Sequence, residues 1–346
     1  MRILLIHNHY QQPGGEDVVF TQEHELLRNS GHQVLIYERT NSELLHYSLP
    51  QRIAMVKSVI SSGDARKEIL ATLHREKPTL VHVHNSFTLI SPSVYEACQE
   101  AGIPVVQTLH NFRLLCPAAT FFRNGRVCEE CPQFGLWRGV GHACYRGSHA
   151  ATAAVALMLA VHRRRRTWVE AVNRYITLTQ FALRKFVEGG IPQEKISVKP
   201  NFVSPDPGER ATDGATAVFV GRLSPEKGLH GLLAAWGLLP KTIPLQIIGD
   251  GPLRVELQEQ AARNNLSSVF FRGRLGHDET KEAIKSARCL VLPSECYESF
   301  PMAIVEAFAC GVPVICSRLG AMQELVADGS TGLHFTPGDA EHLADR

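Results

Sequence analysis

The chain has 346 residues, of which 44% are hydrophobic and 20% charged, with a formal net charge of +2. That length gives a prior of about two domains, and the composition excludes a disordered or fibrous chain. The first apolar run, 3–6, is too short for a signal peptide, and no stretch reaches the roughly 18 apolar residues of a membrane span, so the sequence predicts a cytoplasmic protein with reduced thiols.

Short apolar runs rich in β-branched residues recur at 3–6, 34–37, 80–84, 105–109 and 175–178, then at 217–220, 245–248, 269–271, 290–292 and 312–315. The longer segments between them carry helical spacing. This alternation predicts α/β architecture: two parallel sheets, each covered by helices on both faces. The seam falls at 201–214, where prolines, glycines and charges replace apolar periodicity. A cleft between the halves is then the expected ligand site, because α/β sheets bind ligands beyond the carboxyl ends of their strands.

After the first strand comes Gln12-Pro13-Gly14-Gly15-Glu16, leading into a helical stretch. Paired glycines there let the backbone approach a phosphate at a helix N-terminus, although a plain tight turn reads the same way. The spaced Gly-x-Gly-x-x-Gly of a dinucleotide fingerprint is missing, which disfavours a dehydrogenase. Four cysteines, Cys116, Cys128, Cys131 and Cys144, follow within one short stretch. Such thiols would suit a structural zinc in a polar loop, or are simply unlinked. The apolar segment 150–161 runs into four arginines, 163–166, and Trp168. This combination suits an anionic membrane surface as well as a solvated face. Residues 1–200 hold 23 basic against 16 acidic side chains, and 201–346 hold 13 against 18. An anionic partner for the first half fits that asymmetry, but nucleic acid does not, since no aromatic stacking platform accompanies the charge.

The second half opens with Val218-Phe219-Val220-Gly221-Arg222-Leu223-Ser224-Pro225-Glu226-Lys227-Gly228. Arg222 and Lys227 flank a turn after a strand and are placed to neutralise a diphosphate; solvated surface charge is the alternative. No Asp-x-Asp pair exists to hold a divalent metal, so two cations are the natural substitute and no catalytic cofactor is required. In the segment 293–311, Pro301 suits a helix start and Gly311 a stop, predicting a helix over 302–310 with Glu298 in the loop before it. Met302, Ile304, Val305 and Phe308 would pack that helix, leaving Glu306 a carboxylate in need of a partner such as a ribose diol. The N–H groups near Glu298, Ser299 and Phe300 would serve a phosphate or a sugar hydroxyl.

The run 221–228, the turn Gly249-Asp250-Gly251-Pro252, and Glu298 with Glu306 as Glu-x7-Glu resemble glycosyltransferase family 4, retaining enzymes of the GT-B fold. Gly14-Gly15, Val81-His82-Val83-His84-Asn85, Thr108-Leu109-His110-Asn111 and Lys199-Pro200-Asn201 are similar to the same family. The resemblance implies two Rossmann-like domains facing each other across a cleft. Residues 1–200 would form the acceptor side, with the cysteine-rich insertion near 116–144, and 201–346 would bind the nucleotide sugar. It implies that Arg222 and Lys227 grip the donor diphosphate, Glu306 holds the ribose, Glu298 contacts the transferred sugar, Gly14 and Gly15 lie near the phosphates, and His110 lines the reaction centre. The new bond would form on the face from which the nucleotide leaves, so Glu298 need not be a nucleophile. Family members continue past a stretch like Pro337-Gly338-Asp339 with further helices, whereas this sequence stops at Arg346, which implies that the last helices are missing from it.

The expected function is therefore hexosyl transfer from a UDP- or GDP-sugar to a glycan or lipid-linked acceptor, in the cytoplasm or peripherally on the inner membrane face. A nucleotide-sugar epimerase on the same fold and a catalytically weak sugar-nucleotide-binding protein are the alternatives.

Overall fold

The computed structural model describes residues 1–12 and 14–346, with the side chains of Leu49, Pro50, Arg52 and Ile53 outside the description; Pro13 of the 12–16 turn is therefore not placed. Its strands, in chain order, begin with β1 (Arg2–His9), β2 (Gln33–Thr40), β3 (Leu80–Asn85) and β4 (Val105–Thr108). A short hairpin, β5 (Phe122–Arg123) and β6 (Arg126–Val127), is followed by β7 (Arg174–Thr177) and β8 (Ile196–Val198). The remainder are β9 (Thr216–Val220), β10 (Leu245–Ile248), β11 (Val269–Gly273), β12 (Ala287–Leu292), β13 (Val314–Ser317) and β14 (Gly332–Phe335).

Two six-stranded parallel sheets result, in the orders β2-β1-β3-β4-β7-β8 and β11-β10-β9-β12-β13-β14. Each predicted apolar run overlaps a strand, although 105–109 and 175–178 run one residue past β4 and β7, and 312–315 begins two residues before β13. The chain divides into two compact units, Met1–Ala119 with Glu129–Asn201, and Thr120–Cys128 with Phe202–Arg346. The cysteine-rich stretch is thus not one insertion of the first half. Residues 120–128 belong to the second unit, because the Phe121 ring packs edge-on to Tyr297 at 6.0 Å and Gly125 lies against Glu295.

Both sheets reverse direction of growth beside their first strand, between β1 and β3 and between β9 and β12. At such a switch point adjacent connections leave in opposite directions and open a crevice at the carboxyl ends of the strands. The strands that flank it carry a buried apolar core. Leu4, Leu5 and Ile6 of β1 are fully buried, as are Phe219 of β9 and Leu290 and Val291 of β12. Central parallel strands must be apolar on both faces, which is why these runs read so clearly.

The helix Gly15–Asn29 covers one face of the first sheet. Along β1 that face presents Ile3 and Leu5, which pack with Phe20 of the helix, and then His7, stacked on the same Phe20 ring at 4.8 Å. The neighbouring strands supply His82, His84, Thr108 and, just past β4, His110. One face therefore passes from hydrocarbon to imidazole as the strands approach their carboxyl ends.

The helix His149–Arg164 does not bear out a membrane-facing stripe with Trp168 in it. Trp168 is buried, edge-on to Tyr95 at 5.9 Å. Three of the arginines are engaged within the protein: Arg163 donates to the Leu114 carbonyl at 3.0 Å, Arg165 pairs with Glu96 at 2.9 Å, and Arg166 pairs with Glu170 at 2.5 Å. Among the described residues no helix is long and apolar enough to cross a membrane.

Candidate functional site

In the second unit the decisive element is the contact between the loops that leave β9 and β12. Gly228 has φ +67°, and a Cβ there would lie 2.0 Å from the Pro293 carbonyl oxygen. Only glycine permits that conformation and that approach together. The two backbones are stitched by the Glu295 N–H donating to the Glu226 carbonyl at 2.9 Å.

This contact carries Lys227 to Glu298, Nζ to Oε1 at 2.5 Å, and the Ser294 hydroxyl donates to the same oxygen at 2.7 Å. Lys227 is not solvated surface charge: its side chain is 20% exposed and that of Glu298 is 14% exposed. Burial alone would draw the ammonium down, but the adjacent carboxylate overrides it and holds the pKa above its ordinary value. A lysine fixed in this way is charged, oriented and partly stripped of water, which suits a diphosphate oxygen. Arg222, five residues earlier in the same loop, is exposed.

Past this loop the helix Met302–Ala309 starts after Pro301 and stops at Gly311, which has φ +70°. It buries Ile304 and Ala307 and leaves Met302, Val305 and Phe308 partly exposed. Phe300 is buried in the loop beneath it, and Ser299 is half-buried. Glu306 is half-buried too; burial raises its carboxyl pKa, with His277 and Lys281 of the helix His277–Lys285 pulling the other way. The Lys227–Glu298 pair thus lies in the loops at the carboxyl ends of β9 and β12, and Glu306 in the helix that follows.

In the first unit, Gly14 caps the helix Gly15–Asn29, its N–H donating to Asp17 Oδ2 at 2.7 Å. Asp17 Oδ1 faces His7 Nε2 and His9 Nδ1, each at 2.9 Å. Burial would raise the Asp17 carboxyl, but the His7 and Gly14 hydrogen bonds hold it below its usual value. The glycine turn is thereby fixed by a carboxylate whose role the sequence does not disclose.

His110 is buried, and its Nε2 lies 3.0 Å from His84 Nδ1, the two rings stacked at 5.2 Å. Burial, assisted by His7 and His82, pushes its pKa down to about 3. It is therefore neutral at pH 7, a hydrogen-bonding group and not a cation. His84 and His110 line a pocket of about 500 Å³ including its mouth, with Asn111, Phe87, Trp168 and Arg113. The Arg113 guanidinium lies over the Phe87 ring at 4.4 Å and the Tyr145 ring at 5.0 Å. Asn111 Nδ2 donates to Glu16 Oε1 at 2.7 Å, and burial pushes the Glu16 carboxyl up to about 7.

The four cysteines do not assemble as a zinc site among the described residues. None of the four forms a disulfide, and no three of them come together within ligand distance. Among the described residues the groups that do so are His7, His9 and Asp17, and Glu23, His82 and His84. The sequence signal for the latter was present: His-x-His on a strand puts both rings on one face.

A sequence model described as "Glycosyltransferase Family 4" matches residues 13–207, and one described as "Glycosyl transferases group 1" matches 204–346. The chain belongs to glycosyltransferase family 4. This family 4 chain is 28% identical to the glycogen synthase of Mycobacterium tuberculosis strain H37Rv over 302 residues, 84% of the chain and 64% of that protein. It is 25% identical to one subunit of the human phosphatidylinositol N-acetylglucosaminyltransferase over 337 residues, 92% of the chain and 62% of that protein. The chain thus spans less than two thirds of the length of these relatives. Among solved structures, Anabaena HepE in complex with UDP and glucose superposes with a TM-score of 0.70 at 21% identity, covering 100% of this chain and 88% of that one. Sucrose-phosphate synthase from Thermosynechococcus elongatus superposes with a TM-score of 0.71 at 19% identity, covering 99% and 88%. These likenesses identify the fold of this family 4 chain as GT-B.

Proposed function

We propose that the chain transfers a hexosyl group from a nucleotide sugar to a hydroxyl acceptor, with the donor held by the second unit. The observation that carries this reading is the Lys227–Glu298 pair, built by two touching loops at the β9/β12 switch point. Lys227, with Arg222 from the same loop, neutralises the diphosphate as it leaves, and Glu298 accepts a hydrogen bond from the sugar hydroxyls. Glu306 is the partner assigned to the ribose diol. UDP-hexoses are the first donors to try, since HepE was solved with UDP and glucose.

The proposed reaction breaks the bond between the sugar C1 and the diphosphate oxygen. It forms a bond from C1 to the acceptor oxygen on the same face, and the acceptor proton passes to the departing phosphate. No covalent sugar–enzyme intermediate and no divalent metal is needed for that balance. Neutral His110 enters as a hydrogen-bonding group, and Gly14 and Gly15 as backbone N–H donors. A glycan or a lipid-linked sugar supplies the acceptor hydroxyl.

The test is release of nucleoside diphosphate from UDP-glucose, UDP-N-acetylglucosamine and GDP-mannose, with and without a panel of glycan and lipid-linked acceptors. Acceptor-dependent release with retained anomeric configuration is the expected result. An altered sugar formed without acceptor would replace this reading with epimerisation, and donor binding without turnover would leave a binding protein.

A further inference from the structure

The polar layer beneath the helix Gly15–Asn29 contains an arrangement that the transfer reaction does not use. Glu23 of that helix faces two rings of β3: its Oε1 is 3.9 Å from His82 Nδ1 and its Oε2 is 3.6 Å from His84 Nε2. All three side chains are buried, and the ligating atoms lie within 4.8 Å of one another. At 3.6 and 3.9 Å neither nitrogen hydrogen-bonds the carboxylate. His84 Nε2 is a buried atom with no hydrogen-bond partner. Leaving such an atom unpaired is costly, so a native protein rarely does so without a reason.

The outer nitrogens are, by contrast, fully used. His82 Nε2 lies 2.8 Å from Thr108 Oγ1, and His84 Nδ1 lies 3.0 Å from His110 Nε2. Fixing the far nitrogen is how proteins orient an imidazole so that its near nitrogen presents a lone pair to a metal ion. Burial lowers the pKa of both rings, with Glu23 opposing it at His82 and the neighbouring imidazoles reinforcing it at His84.

The spacing separates this cluster from its neighbour. Zinc bonds of about 2.0–2.2 Å at tetrahedral angles place ligand atoms roughly 3.3–3.5 Å apart, shorter than the gaps here, which start at 3.6 Å and lie within 4.8 Å, so the three side chains must draw together on the ion. His7 and His9, at 2.9 Å from a single Asp17 oxygen, are instead hydrogen-bonded and too close to share an ion. The charge fits as well. Glu23 is now met by Lys199 Nζ at 3.3 Å, and the Lys199 side chain is 42% exposed, so it can leave for solvent when a dication takes its place.

We propose that Glu23, His82 and His84 form a zinc-class metal site in the first unit, with Lys199 as the resident cation that a divalent ion displaces. Two imidazoles and one carboxylate are a zinc donor set, with water as the fourth ligand. Its place beneath His84 makes it a positioning site for His110, since a metal on Nε2 strengthens the hydrogen bond that the Nδ1–H gives to His110.

The experiment is equilibrium dialysis of the full chain against Zn2+ buffered by a competing chelator, read by metal content and thermal shift, and repeated with Co2+. One zinc ion retained per chain is expected, and cobalt in its place should show weak visible bands without a thiolate charge-transfer band. Glu23→Gln and the isosteric Thr108→Val should each weaken zinc binding about tenfold or more, whereas Lys199→Met should tighten it. The last two keep the test decisive if Glu23→Gln folds poorly. No retained zinc, a cobalt spectrum dominated by thiolate charge transfer, or unchanged affinity in Thr108→Val and Lys199→Met overturns the proposal.

Discussion

Lys227 Nζ and Glu298 Oε1 are 2.5 Å apart, so the two side chains assigned to different parts of the donor form one unit before any donor arrives. Removing either partner leaves the other charge poorly solvated, which commonly costs up to about 3–5 kcal/mol for a buried pair and less here, where both retain some exposure. Lys227→Ala should therefore lower the thermal midpoint measurably as well as weaken nucleoside diphosphate binding at least about tenfold. Exposed Arg222→Ala should weaken binding while leaving stability within about 0.5 kcal/mol. Calorimetry with the nucleoside diphosphate and a thermal melt distinguish the two; equal behaviour of both variants would contradict the geometry.

Glu298→Gln should separate from Glu306→Gln. Glu298 is assigned to the sugar, so its amide variant should keep nucleoside diphosphate affinity within a few-fold while kcat falls by about 10- to 100-fold. Glu306→Gln should lose affinity for the nucleotide even without its sugar. Reversal of this pattern in titrations and turnover assays would exchange or refute the two roles.

Transfer should not depend on magnesium or manganese, because Lys227 and Arg222 supply the charge for the leaving group. Initial rates with and without added Mg2+ or Mn2+ should agree closely. Complete loss on chelation, restored by either of these ions, would disprove that account. Loss restored by zinc alone points instead to the first unit.

Glu16 makes stability depend on pH. Its carboxyl is pushed up from 4.5 to about 7, chiefly by burial, so the folded state binds a proton that the unfolded chain releases earlier. No cost exists below pH 4.5; stability then falls as pH rises towards 7 and levels off above it. Glu16→Gln retains an acceptor for Asn111 and removes the charge. The variant should exceed the parent by about 1–3 kcal/mol at pH 8 and match it near pH 4.5 in denaturant unfolding.

Gly228→Ala introduces a Cβ 2.0 Å from the Pro293 oxygen at a positive φ. The loops must part, so stability should fall by about 2 kcal/mol or more and donor affinity should fall with it. An alanine variant with parental melting and binding would show that this contact is not what positions Lys227.

The central strands were legible because burial on both faces leaves no polar alternation to confuse them, as in 3–6 and 290–292. β8 has only three residues, and β14 places His334 inside, so neither resembles an apolar run. The loop 221–228 was readable from its glycines and charges, and the helix after Pro301 was placed within one residue. The Lys227–Glu298 pairing was not, since the partners are distant in sequence and meet only through a backbone contact. The histidine layer escaped for a similar reason: His82 and His84 stand out as a motif, but Glu23, from a separate helix, is what turns two rings into a ligand set. Trp168 was misleading because an aromatic beside arginines looks alike whether it faces solvent or, as here, Tyr95 and His162.

The excursion of Thr120–Cys128 into the second unit has a consequence for how this protein comes into being. The ribosome delivers Phe121 long before Tyr297, so the hairpin waits without its packing partner for many seconds at ordinary rates of synthesis. The first unit must meanwhile close around a gap between Ala119 and Glu129. Neither unit is a contiguous gene fragment, and a truncation at the apparent seam near residue 201 would strand the hairpin on one piece and leave its docking surface bare on the other.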